Sequence, residues 1–321
     1  MSPSPVAQAH AEARRRLASA AARAALQSWQ KVDRDNIYLS WMGLLASTVA
    51  IVAGGQLAAA QSTETWLHRL LGEDPERPES ERIDPTAFTG VDGGGRPLAL
   101  VLAAPMWAAL RAVTQGKPVV QAMAHGHALL EAVVRTAVAD AGRSADSVGM
   151  VSRPAVTSYV RVVEGGACSR CVILAGKEYG TSTGFLRHPR CHCGMEPVTR
   201  DHRPRPQDPV VVYDQMSEAQ RHKAFGEAAV KAIDDGADIA QVVNARRGMS
   251  TAVVYGQKLQ TTSEGITRRG IAGKRLGNQG KVPGRRLQVS LTPRLMPEEI
   301  YRLADDRAHA VRLLQRNGYL T

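Results

Sequence analysis

Four cysteines and one histidine carry the most distinctive chemistry of this chain. Cys168-x-x-Cys171 and Cys191-x-Cys193 hold every cysteine of the 321 residues, inside the single 26-residue window CSRCVILAGKEYGTSTGFLRHPRCHC. The 19 residues between the two pairs include Gly176, Gly180 and Gly184, which let the chain turn back on itself. Two close pairs that meet in space can converge four thiolates on one tetrahedral Zn2+, an ion that takes sulfur and imidazole ligands. His188-x-x-Cys191 is a competing knuckle stiffened by Pro189, so the fourth ligand is either Cys193 or His188. His192, between two cysteines, is expected to point away. With four protein ligands such a zinc is structural, because no position stays open for a catalytic water. The alternatives are a disulfide and a set of buried thiols. MSPSPVAQAHAEARRR at the start has no apolar core and no small-residue cleavage site, so a reducing cytoplasm is expected, which weighs against the disulfide.

The elements that must position this window read as mainly α with small β elements, an α+β chain. The length allows two domains with their own cores, and aromatics at 4 % against abundant Ala, Val and Leu favour helix packing over an aromatic-rich sandwich. The expected organisation is a helical domain over 1–150, a zinc-stapled CxxC/HPxCxC element over 151–200, and a basic region with terminal helices over 201–321. The first 30 residues read as helix, and DRDN at 33–36 offers a break and a cap. A second helix should run from 37 to about 71. Its stretch from Trp41 to Thr63 carries no charge and is long enough to span a membrane. Ser47, Thr48, Gly54, Gly55, Gln56 and Gln61 favour a buried helix instead, and no membrane partner is expected. Two more helices are expected over about 98–115 and 119–142, and TSYVRVV at 157–163 alternates like a strand leading into Cys168. Ser217 and Gln220 form a capping box for a helix expected to reach Gly236. Two helices should follow Pro297.

Charge is distributed unevenly. Residues 1–150 carry 14 Lys/Arg against 14 Asp/Glu and the remainder 27 against 16, so the whole net charge of +11 lies beyond residue 150. Within 244–286, Arg246, Arg247, Lys258, Arg268, Arg269, Lys274, Arg275, Lys281, Arg285 and Arg286 face only Glu264 in the sequence, among eight glycines. The glycines point to a loop or arm, and the charge suits a polyanion or an acidic protein surface. Arg246, Arg247, Arg268, Arg269, Lys274, Arg275, Arg285 and Arg286 are the candidate contacts. Tyr255 is the one aromatic in this stretch, which disfavours base stacking on single strands. No glycine-rich phosphate loop, GxSxG elbow or HExxH occurs, so catalytic residues are unassigned.

The cysteine window resembles the phage head-morphogenesis family related to the F protein of phage Mu. That family's mark is a CxxC followed by HPxCxC, filled here by Cys168, Cys171, His188, Pro189, Cys191 and Cys193. The likeness runs over about 155–321. FGEAAVKAIDDGADIAQVVNARRGM, TTSEGITRRG and RLMPEEIYRLADDRAHAVRLLQRNGYL are similar to head proteins of tailed phages infecting actinobacteria. The resemblance implies a minor head protein carried in the virion and assembled in the host cytoplasm. Its implied partners are the portal, scaffold and major capsid proteins, with packaged DNA as a non-specific one. Members of this group also bear the label of capsid maturation protease, so processing of scaffold or capsid protein is the alternative. Where the family usually has an arginine or an acidic residue between the last two cysteines, this chain has His192.

Overall fold

The structure, a computed structural model, describes residues 3–73, 82–164, 166–185, 188–189, 191, 193–254, 256–264, 279–280 and 289–320. The chain is α+β, with a helical N-terminal region and small antiparallel sheets. It divides into two units, one of residues 1–164 and 175–207, the other of residues 165–174 and 208–321.

In the first unit, α1 (Pro5–Gln30), α2 (Ile37–Leu71), α3 (Leu98–Thr114) and α4 (Val119–Val151) pack on one apolar core. Ser4 caps α1 by accepting from the Ala7 amide, with Pro5 at the first helical position. Asn36, within the DRDN break, caps α2 from its side chain, and Gly72 ends that helix at φ 66°. Trp29 and Trp41 fill the centre edge to face at 5.0 Å. Their indole N–H groups donate to the carbonyls of Met123 and Leu102, so burial leaves neither polar tip unanswered. The alanines of α1 and the glycines of α4 permit close approach. A Cβ on Gly126 would lie 2.2 Å from the Trp29 ring, and one on Gly142 1.6 Å from the Arg14 guanidinium.

α4 continues to Val151, past the stretch its apolar pattern marks, because buried polar groups there find partners. Asp146 accepts from Arg14 at 2.6 Å and from the Thr63 hydroxyl at 2.7 Å, with His10 at 3.2 Å. Burial alone would raise the Asp146 carboxyl, but Arg14 and His10 hold it below the usual carboxylate range. α2 is long and apolar enough to cross a membrane by length and composition, and 28 % of its most apolar 18-residue window is buried. The expected burial therefore applies to one face. Trp41, Leu45, Thr48, Val52, Gln56 and Ala59 point inward, while Leu39 and Met42 are exposed. The unit is completed by an antiparallel sheet of β1 (Ser158–Val162), β2 (Glu178–Gly180) and β3 (Gly194–Val198) in the order β2-β1-β3, with Val162 opposite Gly194.

The second unit holds α5 (Ser169–Val172), α6 (Pro209–Asp214), α7 (Glu218–Phe225), α8 (Glu227–Asp234) and α9 (Ile239–Ala245). β4 (Met249–Val254), β5 (Gln257–Glu264), β6 (Gln279–Gly280) and β7 (Val289–Leu295) follow, in the sheet order β4-β5-β7-β6. α10 (Pro297–Leu303) and α11 (Arg307–Arg316) close the unit. The Ser217/Gln220 capping box forms. The helix it starts does not reach Gly236, because Gly226 at φ 86° stops α7 and α8 begins anew. The basic stretch is likewise not a loop throughout. MSTAVV and QKLQTTSE pair as a hairpin around Gly256, whose φ of 77° suits the turn. The glycines outweighed this alternating β-branched signal in the sequence. Residues 265–278 and 281–288 lie outside the described residues.

Replacing Gly126 by Ala forces a methyl group into the Trp29 ring and the Pro105 carbonyl. Thermal unfolding should show a destabilisation of roughly 1–3 kcal/mol, and an unchanged melting temperature would contradict this packing.

Candidate metal centre

Each part of the cysteine window is placed by a short local structure. Cys168 precedes α5, and its carbonyl accepts from the amides of Cys171 and Val172 at 2.9 and 3.1 Å, which closes the CxxC turn. The return of the chain depends on Gly176, at φ 68°, where a Cβ would come within 2.4 Å of the Gln207 backbone. Gly176 and Lys177 then bond the backbone of Arg161 in β1, setting the start of β2. The Cys191 amide donates to the His188 carbonyl at 3.1 Å, forming the HPxC knuckle, and Cys193 stands directly before β3.

Each unit holds part of the donor set. In the first, Cys191 and Cys193 are buried and His188 is exposed. In the second, Cys171 is buried and Cys168 half-buried. All four cysteines are thiols. His188 Nδ1 lies 2.8 Å from the Pro189 carbonyl, and His192 falls outside the described residues. Sulfur donors collected at this spacing, mostly out of water, form a set that could bind a metal.

Two arginines face the Cys-x-Cys turn. Arg161 in β1 is 2 % exposed and directs Nη2 to Cys193 Sγ at 3.4 Å and Cys191 Sγ at 3.9 Å. Its guanidinium lies over the Phe185 ring at 4.3 Å. Arg143 on α4 donates to the Cys191 and Cys193 carbonyls at 2.9 and 3.5 Å and pairs with Asp140. Sequence reasoning missed both. Arg161 left a trace as the one charge inside TSYVRVV, but its target lies 32 positions away.

Among the basic candidates, Arg246 bonds the Phe225 carbonyl and meets Glu298 at 3.3 Å, and Arg247 lies 3.8 Å from Glu264. Both therefore have acidic partners within their own unit. Arg268, Arg269, Lys274, Arg275, Arg285 and Arg286 lie outside the described residues.

Among known families, the model of the VG15 protein family matches residues 1–219, a span that contains α1 to α4 and the whole cysteine window. No curated protein and no solved structure matches the chain.

The geometry gives a direct expectation for metal content. Protein purified without chelator should carry about one divalent ion per chain by elemental analysis. Cys171→Ser should lose it, since it removes the buried sulfur donor of the CxxC pair. Retention of a full complement by that variant would remove these cysteines as the site.

Proposed function

The chain belongs to the VG15 protein family, a viral gene family that points to a phage protein, and on that premise we propose that it is a minor structural protein of a tailed-phage head. In this reading it acts in procapsid assembly at the portal or the capsid interior, in the host cytoplasm and then in the virion. One observation carries the reading: the span matched by the viral family encloses the CxxC and HPxCxC element that resembles the head-morphogenesis family.

The metal in this proposal is Zn2+ in a structural role. Thiolate and imidazole donors suit it better than ions that prefer oxygen, and four protein ligands close the site. Such a site contributes on the order of 10 kcal/mol of apparent binding free energy, enough to hold the window together. The partners are the portal, scaffold and major capsid proteins. Packaged DNA would be met through Arg268, Arg269, Lys274, Arg275, Arg285 and Arg286, without base specificity. Arg246 and Arg247, engaged with Glu298 and Glu264, serve their own unit first.

The test uses phage particles with and without the gene. The protein should be present in purified mature heads, its loss should yield aberrant or unfilled heads, and the N-terminus of the major capsid protein should be the same in both. A capsid protein trimmed only when the gene is present would replace this reading with that of a capsid maturation protease.

A further inference from the structure

We propose that Arg161 is the fixed counter-cation of the Cys191 and Cys193 sulfurs and makes Cys193, rather than His188, the ligand that acts with Cys191. The inference rests on the reading of the cysteine window as a metal site. It begins from charge. A divalent ion held by three or four thiolates carries a net charge of about −1 or −2, and burying a net charge without compensation is strongly unfavourable.

Arg161 supplies a compensating charge in a fixed place. It sits in the central strand of the β2-β1-β3 sheet, is 2 % exposed, and reaches both sulfurs of the Cys-x-Cys turn. The Phe185 ring holds one face of the guanidinium, so the group is oriented before any metal binds.

Arg143 does a different job from the opposite side. Its charge is answered by Asp140, and its N–H donors bind the carbonyls of Cys191 and Cys193. The backbone of the turn is thereby pinned while Arg161 takes the sulfurs. His188, by contrast, is exposed, with Nδ1 2.8 Å from the Pro189 carbonyl.

The experiment measures zinc release from the full-length protein to a chromogenic chelator, alongside the thiolate-to-metal absorption of the Co2+-substituted form. Arg161→Met should release zinc roughly 10–100-fold faster than wild type, with unchanged helical circular dichroism. Arg161→Lys, which keeps the charge, should recover most of that loss. His188→Ala should match wild type in both readouts, and Cys193→Ser should lose the wild-type cobalt spectrum. Equal release rates for wild type and Arg161→Met would overturn the counter-cation. So would a lysine variant as fast as the methionine one, since shape alone would then explain the effect. If Arg161→Met does not fold, the remaining variants decide. A normal Cys193→Ser spectrum with a defective His188→Ala overturns the inference. Wild type that binds neither zinc nor cobalt overturns the metal reading itself, an outcome distinct from a metal-binding protein indifferent to Arg161.

Discussion

Sulfur held out of water beside a buried guanidinium is the interaction around which the cysteine window is arranged. Cys191 and Cys193 are at most 2 % exposed, and Arg161 meets both from the middle of a sheet. A buried arginine needs an electron-rich partner, and thiolates on a metal would need a cation. The sheet register that places Val162 opposite Gly194 also brings β1 against the chain just after Cys193. The strand pairing and the electrostatics therefore support the same arrangement.

The helical part of the first unit extends that support. α4 presents Arg143 to the Cys-x-Cys carbonyls and, one turn further on, Asp146 to Arg14 and His10 of α1. Gly142, just before Arg143, lets the Arg14 guanidinium lie where any larger residue would place its Cβ. Thus the end of α4 joins two buried charge clusters, one tied to the helix bundle and one to the cysteines. A polar insertion in an otherwise apolar helix is stable only when each charge is answered, and here Asp140, Asp146, Arg14 and Arg143 answer one another.

What could be seen in the sequence follows how local each signal is. The cysteine pairs, the capping box at Ser217, the DRDN break and the four long helices were legible because their information lies within a few residues. The α+β class followed from them. Gly226 was harder, since one glycine within a helical pattern is often tolerated, and only its left-handed conformation ends α7. The hairpin over residues 249–264 was hidden by glycines that suggested an arm. Arg143 and Arg161 were not legible as parts of the site. Their partners lie 48 and 32 positions away, and no local pattern tells an arginine facing sulfur from one facing solvent. The acidic partners of Arg246 and Arg247 escaped notice in part for the same reason, because Glu298 is distant in sequence and near in space.

The central proposal is that these cysteines hold zinc, and X-ray absorption at the zinc edge of the purified full-length protein tests it most directly. The account predicts a first shell dominated by sulfur at about 2.3 Å, with three or four sulfur scatterers. A shell made only of oxygen or nitrogen at about 2.0–2.1 Å, or a protein without zinc, would contradict it.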